Sequence, residues 1–184
     1  MLLDLSEIVI RSGMRVTVDV DQPSVEDPDL VFVEPLQGQL LFTNGGDLVN
    51  ILGSVKTVVQ LPCVRCLTEV RTPLKAEVEE HFPVADVLNP AKKPDEEFDT
   101  PVSSVVYLEQ GRPILDLDEL LRQLLVAELP MRVVCSEECQ GLCPRCGANR
   151  NETPCGCEEE ATNRPLAGLA SLLNTPTNGD HNGA

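Results

Sequence analysis

The chain has 184 residues, of which 42% are hydrophobic but only 3% aromatic, and its formal net charge is −16. No apolar run approaches the roughly 18 residues of a membrane-spanning helix, and residues 1–10 carry Asp4 and Glu7 without a basic segment, so we expect neither a membrane span nor a secretory signal. Such an acidic chain is poorly suited to binding bare nucleic acid or an anionic membrane. We therefore expect a cytoplasmic protein, in a compartment where structural disulfides are disfavoured.

The first half of the chain has the pattern of antiparallel strands. Val16, Val18 and Val20 alternate with polar residues, as in a strand with one buried face. Residues 21–29 contain two prolines and predict a loop, whereas Asn44-Gly45-Gly46 tolerates positive φ and predicts a hairpin turn. The segments with strand-like patterns are 16–20, 30–34, 37–43, 47–61, 69–82 and 102–108.

Two of these strands predict one long hairpin. Residues 47–61 are rich in β-branched side chains, and we expect a bend near Gly53. Residues 69–82 return with apolar side chains at alternate positions. Because Pro62 ends the first strand, we expect the segment Cys63-Val64-Arg65-Cys66 to form the tip of the hairpin.

The rest of the chain divides into four parts. Residues 83–101 contain four prolines and an acidic run, and predict a linker after a β-region at 1–82. Leucines recur at helical spacing over 116–129, with Asp116 as the cap and Pro130 as the stop, and predict an amphipathic helix. A short helix is predicted at 165–173 and a disordered tail at 174–184. We expect residues 102–173 to pack on the β-region.

Eight cysteines lie in tight groups, a pattern typical of metal binding. Zinc takes four soft donors in a tetrahedron, and a C-x2-C turn presents two thiolates to one ion. In Cys143-Pro144-Arg145-Cys146-Gly147, the glycine frees the backbone to direct N–H groups toward the sulfurs. We predict two zinc ions, each held by four thiolates. The predicted ligands are Cys63, Cys66, Cys135, Cys139, Cys143, Cys146, Cys155 and Cys157.

The spacing leaves two pairings of these cysteines open. In the favoured pairing the second site consists of Cys143, Cys146, Cys155 and Cys157, which are close in sequence and close a short loop at low entropic cost. The first site then consists of Cys63, Cys66, Cys135 and Cys139. The last two, four residues apart, would face one way on a helical turn and meet the hairpin tip. In the alternative, the two C-x2-C turns share one ion.

Basic residues are concentrated beside the cysteines. Residues 56–75 have four basic side chains against one acidic, and residues 130–151 have three against two. We interpret these charges as an offset to thiolate charge at the metal sites. The alternative is a local contact with phosphate or with an acidic partner.

Other uses of the cysteines and other reactive groups are less well supported. The cysteine spacing differs from that of ferredoxins, and a thiol redox switch remains a second possibility. A metal ion held by four thiolates has no open coordination position for a substrate, which argues against the alternative that this protein is a zinc enzyme. His81 lies in a predicted strand and His181 in the tail, so neither is expected to bind metal. Three carboxylates lie at the start of a predicted helix, where they interact favourably with the helix dipole: Asp116, Asp118 and Glu119.

Several motifs in order along the chain resemble the YceD family, the bacterial and plastid proteins named for accumulation of large-subunit ribosomal RNA. The resemblance covers about residues 30–173. The matching segments are Leu61-Pro62-Cys63-Val64-Arg65-Cys66-Leu67, Ile114-Leu115-Asp116-Leu117, Leu129-Pro130-Met131, Gly141-Leu142-Cys143-Pro144-Arg145-Cys146-Gly147, Asn149, Asn151, Cys155-Gly156-Cys157 and Arg164-Pro165-Leu166-Ala167.

The resemblance implies a non-enzymatic ribosome biogenesis factor that supports accumulation of large-subunit ribosomal RNA. The expected partner is a large-subunit precursor or a basic ribosomal protein, with ribosomal RNA contact possible near the basic, cysteine-bearing edge. The alternative is a zinc- or redox-responsive regulatory protein. The fold class we expect is α+β: an antiparallel sheet or open barrel-like domain, an amphipathic helix and a C-terminal zinc module.

Overall fold

The computed structural model of this protein describes residues 1–25, 27–28, 30–90 and 105–157. Within these residues the chain forms mostly antiparallel strands with a few helices, which makes the fold α+β. The strands of the described residues build two separate sheets and do not close into a barrel. The elements in chain order are β1 (Leu2–Asp4), α1 (Ser6–Ile10), β2 (Arg15–Gln22), β3 (Val31–Phe32), β4 (Leu36–Asn44), β5 (Leu48–Pro62), β6 (Glu69–Pro83), α2 (Val84–Leu88), β7 (Val106–Glu109), β8 (Arg112–Asp116) and α3 (Leu117–Ala127).

The larger sheet is built around β5, the strand that pairs with β3, β4 and β6. β5 and β6 form one hairpin whose register runs from Leu48 opposite Pro83 to Pro62 opposite Glu69. The predicted strands at 37–43, 47–61 and 69–82 are therefore confirmed, and so is the turn between β4 and β5. Side chains alternate between buried and exposed along these strands, so one face of the sheet covers the core.

Two glycines let β4 and β5 approach each other closely. A Cβ atom built on Gly53 would lie 2.1 Å from the carbonyl oxygen of Gln39, and one on Gly38 would lie 2.2 Å from that of Ser54. Backbone atoms cannot move aside as a flexible side chain can, so neither position accepts a side chain without a shift of the strands.

The smaller sheet has the order β1-β8-β7 and joins distant parts of the chain. Leu3 lies opposite Leu115, and Val106 lies opposite the same residue from the other side. Within the described residues, the strand predicted over 102–108 corresponds to β7, and its first residues, 102–104, lie outside them. β1 and β8 are strands that the sequence pattern did not indicate.

The amphipathic helix predicted at 116–129 is observed as α3. The carboxylate of Asp116 accepts a hydrogen bond from the N–H of Glu119 at 3.2 Å and caps the helix, as predicted. Four leucines of α3 are buried, and the helix packs against β6. The buried leucines are Leu117, Leu120, Leu121 and Leu125.

The prediction that the linker begins at residue 83 is wrong for its first residues. Residues 84–88 form helix α2, and Val87 is buried in the core. An apolar residue facing the core stabilises so short a helix, although five residues are too few for a helical period to be recognised. The remainder of the predicted linker from 91, the helix at 165–173 and the tail at 174–184 lie outside the described residues.

Asn44, at the end of β4, is almost completely buried and has all its side-chain hydrogen bonds within the protein. Its amide donates to the carbonyl oxygens of Ile8 and Val9 in α1 at 2.7 and 3.0 Å. Its carbonyl accepts from the N–H of Gly46 at 2.7 Å. Asn44 thus fastens α1 to the turn between β4 and β5.

In the part of the chain that the structure describes, the core consists of one main cluster and one small cluster. The main cluster packs both sheets and the helices together. The small cluster lies at the hairpin tip, where Cys63, Cys66 and Cys139 pack with Val70, Val134 and Leu142. No helix in the described residues is long and apolar enough to cross a membrane.

Candidate metal centres

The turn between β5 and β6 brings two cysteines to the end of the hairpin. Its backbone is closed by hydrogen bonds from the N–H of Cys63 to the carbonyl of Thr68 and from the N–H of Leu67 to the carbonyl of Cys63, both 2.9 Å long. Leu67 completes the turn with a φ of 61°, in the left-handed region. Cys63 is fully buried, so this turn faces the inside of the small cluster.

Four sulfur atoms converge at this tip. The thiols of Cys63, Cys66, Cys135 and Cys139 lie within 4.8 Å of one another. The Sγ atoms of Cys63 and Cys139 are 3.9 Å apart, and those of Cys66 and Cys135 are 3.5 Å apart. A disulfide would require about 2.05 Å, whereas a tetrahedral ion with bonds of about 2.3 Å places its thiolates about 3.8 Å apart. This tip cluster therefore fits a metal ion.

Cys135 and Cys139 do not lie on a helical turn, so that expectation is wrong. Residues 131–136 form neither helix nor strand, and a single turn follows, in which the N–H of Cys139 donates to the carbonyl of Ser136 at 3.2 Å. The two thiols still converge with those of the hairpin tip. The N–H of Val64 donates to the carbonyl of Val133 and places this segment beside the tip.

Arg65 holds the two parts of the tip cluster together. Its guanidinium donates to the carbonyl oxygens of Glu137 and Cys139 at 2.9 and 3.0 Å. Its own carbonyl accepts from the N–H of Leu142 at 3.0 Å. Gly141, with a φ of 73°, packs so closely on this carbonyl that a Cβ atom would lie 2.9 Å from the oxygen. The sequence pattern did not reveal this role of Arg65, which depends on contacts between distant segments.

The second cluster consists of Cys143, Cys146, Cys155 and Cys157, again within 4.8 Å of one another. Its first turn repeats the geometry of the hairpin tip: the N–H of Gly147 donates to the carbonyl of Cys143 at 2.9 Å, and Gly147 has a φ of 73°. This cluster is more open to solvent, since only Cys143 is buried. The thiols are thus grouped in space as the favoured pairing groups them, and their role as metal ligands remains a prediction.

Two asparagines connect the second cluster to the first. The segment after Gly147 returns through an isolated bridge between Leu142 and Asn149. There the amide of Asn151 donates to the sulfur of Cys139 at 3.3 Å, and its carbonyl accepts from the N–H of Gln140 at 2.8 Å. A donor to a thiolate stabilises its negative charge and orients it for a metal ion. The motif Asn149-Arg150-Asn151 was visible in the sequence, but not this contact.

Both clusters are arranged to hold negative charge. Burial alone would raise the pKa of Cys63, but N–H groups of Arg65, Cys135 and Cys66 lower it to about 6. N–H groups of Cys146 and Arg145 lower the pKa of Cys143 to about 6. Hydrogen bonds to neighbouring sulfurs, Cys139 first, raise the pKa of Cys135 to about 12. Each cluster thus favours thiolates that share the remaining protons. A soft cation that binds the thiolates displaces these protons.

The histidine and the carboxylates considered from the sequence lie outside these clusters. His81 Nδ1 forms a hydrogen bond of 2.7 Å with the side-chain oxygen of Asn50 on the exposed face of the hairpin. His181 lies outside the described residues. Glu119 forms two hydrogen bonds with Arg122 on α3, at 2.8 and 2.7 Å, and these lower the pKa of Glu119.

The fold and the clusters define a class: an α+β protein with two four-cysteine groups at the end of a long β-hairpin. Comparison with known proteins gives the family. The family model described as "Large ribosomal RNA subunit accumulation protein YceD" matches residues 51–173, and the chain belongs to this YceD family. The resemblance inferred from the motifs is thereby confirmed.

Curated relatives are found in bacteria and in a plant. An uncharacterized protein of Mycobacterium tuberculosis is 29% identical over 163 residues, covering 89% of this chain and 69% of the relative. The Arabidopsis thaliana protein named "Large ribosomal RNA subunit accumulation protein YCED homolog 1, chloroplastic" is 24% identical over 177 residues, covering 87% of this chain and 53% of the relative. No solved structure matches the chain.

Proposed function

We propose that this protein is a non-enzymatic ribosome biogenesis factor that supports the accumulation of large-subunit ribosomal RNA. The observation that carries the proposal is membership of the YceD family over residues 51–173. It is supported by the plant relative, whose name refers to accumulation of the large ribosomal RNA subunit. We propose the cytoplasm as its location, because eight free thiols are best kept reduced there.

The proposed cofactors are two zinc ions, one in each cluster. Two pairs of sulfurs in the tip cluster are 3.9 and 3.5 Å apart, and the four thiols of each cluster lie within 4.8 Å of one another, which fits the tetrahedral site that zinc prefers. In such a site protein ligands occupy all four coordination positions, so the ion cross-links the segments that supply them and has no position for a substrate. In the tip cluster the ion would join the β5–β6 hairpin to residues 135–139. Metal analysis of the purified protein tests this proposal, with an expected content of two zinc ions per chain.

The proposed partner is a basic ribosomal protein or a large-subunit precursor that exposes one. A chain with a net charge of −16 attracts basic surfaces over distances of about one Debye length. The same charge repels bare ribosomal RNA, so RNA contact is confined to the less acidic, cysteine-bearing end.

Depletion of the protein in its own host tests the function. We expect sucrose gradients to show a deficit of large relative to small subunits, and tagged protein to sediment with large-subunit precursors. Re-expression of the wild-type chain should restore the ratio. A normal ratio after complete depletion would refute the proposal.

The exposure of residues Cys135 and Cys146 favours a second candidate, a zinc- or redox-responsive regulator. Under that hypothesis, a low dose of hydrogen peroxide would release zinc and change partner binding while the β-sheets stay folded. Zinc release is followed with a colorimetric chelator and folding by circular dichroism. An assembly factor should instead lose partner binding only when it unfolds.

A further inference from the structure

The turn at the tip of the hairpin contains a residue that does not favour folding. Leu67 has a φ of 61°, a conformation that bulky side chains rarely adopt, and 62% of the residue is exposed. The equivalent position in the second C-x2-C turn is Gly147, which has a φ of 73° and no side chain to oppose that conformation. Leu67 therefore costs stability through its backbone and gains little from burial, which is typical of a residue retained for function.

Exposed apolar residues lie in both of the segments that form the tip. Val64, in the same turn, is 55% exposed. The hydrogen bond of 2.9 Å from its N–H to Val133 brings the adjoining segment alongside, and that segment begins with the fully exposed Met131. We call Val64, Leu67 and Met131 the tip patch. Large apolar side chains grouped at an exposed turn mark an interaction site rather than part of the core.

The charges around the tip patch indicate the chemistry of its partner. Glu69, Glu137 and Glu138 are exposed in the two segments that form the tip. These segments contain two cationic side chains, Arg65 and Arg132. The guanidinium of Arg65 donates hydrogen bonds to backbone carbonyls. Residues 63–69 and 131–139 contain no aromatic side chain on which a base could stack. Two of the other basic residues of this hairpin, Arg71 and Lys75, form ion pairs with Glu34 and Glu77. An apolar patch with three exposed carboxylates in the same segments fits a basic protein surface better than RNA.

We propose that the tip patch docks into an apolar pocket, bordered by lysine or arginine side chains, on a basic protein of the large-subunit precursor. This inference rests on the proposed function and adds the docking surface and the chemistry of the partner. Leu67 is the central contact, and the unfavourable backbone of the turn projects its side chain outward. The metal ion proposed for the tip cluster keeps the turn rigid, so little conformational freedom is lost on binding.

The test compares Leu67→Gly with the wild-type chain, both zinc-loaded and full-length. Glycine accepts the left-handed conformation, so we expect the melting temperature to be equal or higher, by up to about 3 °C. Loss of one buried leucine contact should weaken association with isolated large-subunit precursors about tenfold. Ile10→Asn is the matched control, because Ile10 is 79% exposed on α1, at the opposite end of β5 from the tip.

Each outcome has a distinct meaning. A tenfold loss in Leu67→Gly, with unchanged binding by Ile10→Asn and no loss of melting temperature, supports the docking surface. Full binding by Leu67→Gly overturns the inference and leaves the proposed function intact. Failure of the wild-type chain to bind precursors overturns the proposed function and the docking surface together.

A photocrosslinking amino acid in place of Val64 distinguishes a protein partner from RNA. We expect an adduct with a basic protein of the precursor that resists ribonuclease and is lost when Leu67→Gly is added. An adduct that ribonuclease degrades would assign the tip patch to RNA and overturn the inference.

Discussion

Loss of the tip cluster is expected to destabilise the zinc-loaded protein more than loss of the second cluster. A metal bridge between Cys66 and Cys135 closes a loop of about 70 residues, whereas one between Cys146 and Cys155 closes about 10. We treat each bridge as a cross-link that lowers the conformational entropy of the unfolded chain. Its loss then lowers the free energy of unfolding by about 4.4 kcal/mol for the first bridge and about 2.6 kcal/mol for the second. The first loss should therefore exceed the second by about 2 kcal/mol.

The matched variants are C66S/C135S and C146S/C155S, each of which removes the two thiols that close one loop. Urea unfolding followed by circular dichroism gives the free energy of unfolding, and metal analysis checks that each variant keeps one zinc ion. The difference of about 2 kcal/mol corresponds to a melting temperature about 6 °C lower for C66S/C135S. Equal losses, or a larger loss in C146S/C155S, would refute the argument from loop closure.

Three further predictions follow from single contacts. Asn151→Asp removes the donor to the Cys139 sulfur, and zinc release from the tip cluster to a chelator should become about tenfold faster. Gly53→Ala places a Cβ atom against the carbonyl of Gln39, and chemical denaturation should show a loss of about 3 kcal/mol. Asn44→Ala leaves two carbonyls of α1 and one N–H without this partner, and the same measurement should show a loss of about 2 kcal/mol.

Control variants separate these effects from general damage. Asn50→Asp makes the same chemical change on the exposed face of the hairpin and should leave zinc release unchanged. Gly45→Ala has its nearest neighbouring atom at 3.6 Å and should change stability by less than about 0.5 kcal/mol. The contact of Asn151 would be contradicted if Asn151→Asp released zinc at the wild-type rate. The contacts of Gly53 and Asn44 would be contradicted if their variants changed stability as little as Gly45→Ala does.

The long hairpin and α3 were predictable because their signals are local and repeated. Alternation over 69–82 and leucines at helical spacing over 117–125 each extend through several periods. The two hairpin turns are equally local, since Asn44-Gly45-Gly46 and the segment Cys63–Cys66 after Pro62 are each recognisable from a few residues. Where a pattern repeats, its period identifies the element without knowledge of the tertiary structure.

The elements that were missed are short or depend on distant partners. β1 has three residues, too few for a period, and it becomes a strand only through pairing with β8, more than about 100 residues away. The helices α1 and α2 have five residues each and are stabilised by burial of one or two apolar side chains. The same reason hides Arg65 and Asn151 in the candidate site, because each acts across segments that meet only in the folded chain.

The order of the strands has a consequence for synthesis of the protein on the ribosome. The larger sheet is complete once Pro83 has emerged, but the helix that packs against β6 ends at Ala127, and β1 waits for β8. At usual rates of translation the apolar face of that sheet stays partly uncovered for about 2 to 9 s. We expect this uncovered apolar face to make the nascent chain prone to association with other chains during that interval.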